Sequence, residues 1–182
     1  MFIRIKTRKN SQGISSSYAY LVSSRYRKKG VKQKISKYLG KVHSFERVKN
    51  VSLQEYLKED PTAYINKKPL KTSFASLLRH ELENHNFIKL SGNRLINSNI
   101  LVNLSTREAK DIATGKPICL SLNDGFLADY TLSRLLNFKA PEALDKEIGK
   151  EMAKRLIGAG ILLDEQIFVL LFQKLQKELS TA

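Results

Sequence analysis

The sequence predicts an α+β protein: a basic three-stranded antiparallel sheet at the N-terminus, then a mixed body with strands that ends in a three-helix segment. Three observations carry this prediction. Apolar residues alternate with basic and polar ones through the first 40 residues, the period of a half-buried strand. Positive charge gathers in the same stretch. Residues 1–50 hold 14 Lys and Arg against one acid, Glu46, so +13 of the net +15 lies there; the other 132 residues carry 18 Lys and Arg against 16 Asp and Glu. From Phe126 onward the apolar residues recur at helical spacing.

Taken in order, Phe2–Lys9 places Phe2, Arg4, Lys6 and Arg8 on one side and Ile3, Ile5 and Thr7 on the other. Asn10–Ser17 reads as a loop. Tyr18–Arg27 alternates Tyr18, Tyr20, Val22 and Tyr26 against Ala19, Leu21, Arg25 and Arg27, a composition that favours a strand. Lys28-Lys29-Gly30 is a turn, and Val31–Leu39 returns with Val31, Gln33, Ile35, Lys37 and Leu39 on one parity until Gly40 ends it. This sheet module is expected over residues 1–49. A short helix and connector fill 50–71: Ser52 is the N-cap, Glu55 its capping-box partner, and Pro61 the stop. The body, 72–182, opens with a helix at Thr72–Asn84. Strands come next in Asn86–Leu104 about a Ser91-Gly92-Asn93 turn, then an apolar strand at Ile118–Leu122. Helices are expected at Phe126–Phe138, Pro141–Ala159 (with Glu142 and Asp145 near its positive end) and Asp164–Leu179.

The composition excludes several classes. With 42% hydrophobic and 27% charged residues the chain is neither disordered nor membrane-embedded. Its longest apolar runs, Gly160–Leu163 and Ile167–Phe172, are too short to span a bilayer. The N-terminus MFIRIKTRKN mixes charges into its apolar residues, unlike a secretory signal. The lone cysteine, Cys119, rules out an internal disulfide framework. A cytoplasmic protein of prokaryotic type is expected, associated with the nucleoid if it binds DNA, with no membrane partner.

The basic sheet is the feature with chemical content. Lys and Arg gathered on one compact surface gain affinity for a polyanion by releasing its condensed counterions. A two- or three-stranded sheet can also enter the major groove, where side chains read base edges. The candidate nucleic-acid-binding residues are Arg4, Lys6, Arg8, Tyr20, Arg25, Arg27, Lys28, Lys29, Lys32, Gln33, Lys34 and Lys37. Arg and Gln33 suit base edges, and the lysines suit phosphates. Tyr18, Tyr20, Tyr26 and Tyr38 pack, donate to phosphates, or stack on unpaired bases. Double-stranded DNA is the expected ligand; RNA in a ribonucleoprotein is the alternative.

The runs Met1-Phe2-Ile3-Arg4-Ile5-Lys6, Tyr20-Leu21-Val22-Ser23-Ser24-Arg25, Lys29-Gly30, Gln33-Lys34 and Tyr38-Leu39-Gly40 resemble the N-terminal segment of many bacterial and archaeal insertion-sequence transposases. The resemblance covers about residues 1–41. It implies a DNA-contacting role for this module, derived from or convergent with a mobile element, and it does not carry over catalysis. Transposases of that kind need three acids on an RNase-H-like fold to hold two divalent metals. The body's acids, Asp111, Asp124, Asp129, Glu142 and Glu147, are closely spaced, and the central strands of such a fold are not in evidence.

No complete catalytic constellation emerges, and no cofactor or metal is expected. His80 and His85 lie five apart, about 140° around a helix, so they splay; His43 stands alone. Asp124, in Asn123-Asp124-Gly125, is expected to cap the next helix. A metal-dependent nuclease using Asp124 or Asp129 with Mg²⁺ is the remaining, enzymatic alternative. Cys119, inside an apolar strand, is expected to be a buried small hydrophobe. Ile167–Phe172 makes the last helix apolar nearly all round, which predicts burial on more than one side, in the core or in a homodimer through the C-terminal helices.

Overall fold

The computed structural model describes residues 1–27, 30–141, 144–162 and 164–180, with backbone alone at 26 and 27. Three long strands come first: β1 Phe2–Lys9, β2 Ser15–Arg27 and β3 Gly30–Ser44. Helices α1 Leu53–Leu57, α2 Pro61–Lys67 and α3 Leu70–Asn84 succeed them. The strands β4 Ile88–Ser91, β5 Arg94–Asn97, β6 Ile100–Asn103, β7 Glu108–Asp111, β8 Ile118–Leu122 and β9 Gly125–Leu127 come next. The chain ends with α4 Asp129–Leu136, α5 Asp145–Gly158 and α6 Glu165–Ser180.

The α+β class holds, but the N-terminal sheet is not a separate three-stranded one. Its order is β1-β2-β3-β8-β9, antiparallel except that β3 pairs in parallel with β8 through Lys41–Ser44 and Ile118–Ser121. Gly40 does not end β3. At φ 123° it lets the strand pass so close to β8 that a Cβ there would lie 2.3 Å from the Pro117 carbonyl oxygen. Only glycine accepts both the left-handed backbone and the approach. The second sheet, β4-β5-β6-β7, is an antiparallel meander.

β8 is buried on both faces, which explains why Ile118, Cys119, Leu120 and Leu122 are all apolar. Ile118, Leu120 and Leu122 enter the main core with Phe74, Leu78 and Leu82 of α3, Leu95 and Val102 of the meander, Leu132 and Leu135 of α4, and Met152 and Leu156 of α5. Cys119 points the other way, into a smaller core with Ala19, Leu21, Leu39 and Ala128, flanked by Ile3, Ile5 and Val42. That smaller core fastens β1–β3 to the start of α4.

Several local expectations change. Ser52 caps α1, accepting from the Glu55 N–H at 3.2 Å. Pro61, expected as a stop, opens α2 instead: Asp60 accepts from the Ala63 N–H at 2.9 Å, and proline fits the first helical turn, where its missing N–H costs nothing. α4 begins at Asp129, not Phe126, because Gly125–Leu127 pairs with β8 as β9. Asp124 therefore sits in the β8–β9 turn and caps no helix. α5 begins at Asp145, four residues beyond the expected Pro141; Glu142 lies outside the described residues. α6 buries Leu171 and Leu175 fully and packs Ile167, Phe168, Leu170 and Phe172 against the main core, touching α2, α3 and α5, while Val169 and Leu179 stay about half exposed.

Candidate nucleic-acid interface

The side chains of β1–β3 sort onto two faces. Along β1 and β2 the alternation is regular, and cross-strand partners share a face: Arg4 lies opposite Tyr20, Lys6 opposite Tyr18, and Ile5 opposite Ala19. The inner face, with Ile3, Ile5, Ala19 and Leu21, covers the smaller core. The outer face carries Arg4, Lys6, Arg8, Tyr18, Tyr20 and Val22. Neither β1, β2 nor β3 contains an acidic residue.

β3 departs from strict alternation. Two register shifts, opposite Ala19/Tyr20 and Leu21/Val22, insert Leu39 and Ser36 as extra residues. Each bulge reverses the parity of the residues beyond it. Lys37 therefore lies opposite Leu21 on the inner face, 3.9 Å from Asp129, while Gln33 and Ile35 lie opposite Ser24 and Val22 on the outer one. The expected single row of Val31, Gln33, Ile35, Lys37 and Leu39 is thus divided. Lys37, pairing with a carboxylate, is the weakest of the predicted contacts. Tyr38, off that row by sequence parity, is brought opposite Tyr20.

Beyond Val22 the two central strands leave their neighbours. β1 stops pairing at Phe2–Val22, and β8 joins β3 only from Lys41. Among the described residues, Ser23–Arg27 and Gly30–Lys34 pair only with each other, a two-stranded ribbon about 17 Å long at 3.4 Å per residue. On one face Arg25 lies directly opposite Lys32, and Lys34 opposite Ser23; all three cations are exposed. Like charges facing each other across a ladder cost stability, roughly 0.2–1 kcal/mol. The ribbon also has two open edges, which its cations protect from pairing with other chains. Lys28, Lys29 and the Arg27 side chain lie outside the described residues.

The outer face at the ribbon's base is aromatic and cationic. Tyr38 sits between Tyr20 and Tyr18, with ring centroids 5.5 and 6.5 Å apart. Lys6 Nζ lies 5.4 Å from the Tyr20 ring centre, and Arg4 donates to Gln33 Oε1 at 2.7 Å across Val22. Partial burial, reinforced by Tyr20 and Tyr18, raises the Tyr38 phenol above its usual value, so it remains a neutral donor. Lys41, opposite Tyr18, extends the cationic rim. Tyr18 and Tyr38, expected from the sequence as packing, phosphate-donating or stacking rings, lie on this face, and Lys41 is an addition to the expected site. Tyrosine content was the available signal for the first two, but only the bulges bring Tyr38 to this face.

The other titratable groups serve the framework. Glu81, 2% exposed, gathers four segments. Arg47 donates to its Oε1 at 2.7 Å, Asn123 to Oε1 at 3.0 Å, and the Leu162 N–H to Oε2 at 3.1 Å; His85 Nε2 approaches Oε1 at 3.3 Å. Burial opposes its ionisation. The nearby His85 ring, the Asn123 and Leu162 hydrogen bonds and the Arg47 charge together outweigh that and hold the carboxyl below the usual range. His80 bonds the Val51 carbonyl at 2.6 Å, so the two histidines do splay to different partners. Asp129 accepts from the Ala109 N–H at 3.1 Å, and Asp111 from the Thr114 N–H and hydroxyl at 2.8 Å. Asp124, Asp129 and Asp111 form no joint cluster; among the described residues no group of three His, Cys, Asp or Glu is disposed to hold a metal. Burial, with Asp129 nearby, pushes the Cys119 thiol up to about 12, so it is no nucleophile.

Compared with protein-family models, curated proteins and solved structures, the chain matches none, and its function must be read from these residues alone.

Proposed function

We propose that this protein binds double-stranded nucleic acid, DNA in preference to RNA, by laying the β2–β3 ribbon into a groove. The observation that carries the reading is the ribbon itself: two strands free on both edges, Arg25 facing Lys32, Lys34 beside them, and no acid in the three strands. Such a pair is unfavourable in the free protein and is relieved when a phosphate or base edge lies between its cations. The B-DNA major groove, about 12 Å wide, admits a two-stranded ribbon, whereas the A-form major groove is too deep and narrow. The resemblance of residues 1–41 to transposase N-termini points the same way. Arg25 suits base edges, and Lys32 and Lys34 suit phosphates.

Fluorescence anisotropy with the full chain tests this. Labelled duplex DNA should bind, and unlabelled duplex DNA should displace it at lower concentration than duplex RNA of the same sequence. Arg25→Ala with Lys32→Ala should weaken binding while the far-UV spectrum stays unchanged. Equal displacement by RNA would overturn the preference for DNA. Undiminished affinity in the double variant would overturn the ribbon's role.

A further inference from the structure

We infer that the outer face of β1–β3 is a second nucleic-acid site, one that takes a single-stranded segment. The inference shares its ligand class with the ribbon reading but none of its residues. Among the described residues no helix covers this face: Phe2, Ile35 and Tyr38 are 41%, 46% and 42% exposed. An uncovered sheet face of this composition needs an occupant that is both flat and anionic. Its three phenol rings present π surface over a short span, and Arg4, Lys6, Arg8 and Lys41 surround them without a neighbouring acid on these strands.

An unpaired base offers a π-face to every such ring, and its backbone offers phosphates to the flanking cations. A duplex keeps its bases stacked on each other and so cannot use the rings. An acidic protein would use the cations but leave the phenols without partners of matching shape. The structure therefore favours single-stranded nucleic acid. Lys6, already over the Tyr20 ring, shows that this face accepts a cation–π contact and can turn its ammonium to a phosphate when a base replaces it.

The two sites point in opposite directions. Arg25 shares its parity with Ala19 and Leu21, on the inner side of β2, whereas Tyr18 and Tyr20 lie on the outer side. A duplex on the basic side of the ribbon thus leaves the tyrosine face free, and one molecule holds both ligands at once.

The test uses the full chain with labelled oligo-dT of about 12 nucleotides, within the site size of a small stacking surface. Tyr20→Ala with Tyr38→Ala should lower single-strand affinity about thirtyfold or more, from the loss of two stacked bases, and leave duplex affinity within about threefold. Tyr20→Phe with Tyr38→Phe, which keeps the rings, should retain single-strand binding. Arg25→Ala with Lys32→Ala should do the reverse, weakening duplex and sparing oligo-dT, and unlabelled blunt duplex should not displace oligo-dT. If the alanine pair does not fold, Lys6→Gln with Arg8→Gln reads the same site: the salt slope for oligo-dT should fall by about 1.4. An unchanged oligo-dT affinity in the alanine pair, or full displacement of oligo-dT by blunt duplex, overturns the second site. Failure of the wild type to bind oligo-dT also overturns it, whatever the duplex does. Oligo-dT binding without duplex binding overturns the ribbon reading and leaves this one standing.

Discussion

Replacing Glu81 tests how the framework holds the sheet in place. Its carboxylate ties the segment after β3 (Arg47), the β8–β9 turn (Asn123) and the link between α5 and α6 (Leu162) to α3. Glu81→Ala leaves the Arg47 side chain, 20% exposed, without its carboxylate, and removes the acceptor of the Leu162 N–H. Breaking a buried ion pair from one side costs about 3–5 kcal/mol, a large share of the roughly 5–15 kcal/mol that stabilises a domain. For a chain of this size the melting temperature should fall by about 6–20 °C. Glu81→Gln keeps the shape and one acceptor, so it should lose less. Urea unfolding followed by circular dichroism at pH 7 measures both. The titration has a definite sign. The folded carboxyl lies below its unfolded value, so its contribution is complete above about pH 4.3 and is lost as pH falls through the folded value. The wild-type urea midpoint should therefore approach that of Glu81→Gln as the pH falls below about 4.3 and through the lower folded value. A loss under about 1 kcal/mol for Glu81→Ala would refute the role given to this carboxylate.

Other substitutions test other joints. Gly40→Ala should destabilise by about 2–5 kcal/mol, since its Cβ meets Pro117 and Ile118 backbone at a positive φ; an unshifted thermal melt would contradict that closeness. Lys32→Glu places a carboxylate opposite Arg25 and should raise stability by about 0.2–1 kcal/mol while weakening duplex binding, so urea midpoint and affinity should move in opposite senses. Cys119, with its thiol pushed up to about 12 inside the smaller core, should react with a thiol reagent only as the protein unfolds; rapid labelling under native conditions would show that this core opens.

Period and charge made part of this fold legible in the sequence. The alternation of Phe2–Lys9 and Tyr18–Arg27 located two strands and set Ile3 with Ile5, and Ala19 with Leu21, on one side of each; that these are the buried sides comes from the smaller core. The largely apolar stretch Ile118–Leu122 located β8. Its pairing with β3 could not be read, because a parallel contact between residues some 77 apart leaves no local mark. The bulges at Ser36 and Leu39 were equally silent, and they decided where Gln33, Lys37 and Tyr38 point. The β5–β6 turn was missed because it has no glycine: Ser98 takes φ 50° instead. β7, with only Ala109 buried, lacked an apolar pattern to announce it. Glu81 is one polar residue among several in Arg79–His85. Only the convergence of Arg47, Asn123 and Leu162 gives it a role.

The most direct measurement is the salt dependence of duplex DNA affinity for the full chain and for Arg25→Ala/Lys32→Ala/Lys34→Ala. With about 5–8 phosphates engaged, the logarithm of the wild-type association constant should fall against log salt with a slope of about −4 to −7, and the variant's slope should be shallower by up to about 2.7. A flat response in the wild type, or the same slope in both proteins, would contradict binding through the ribbon.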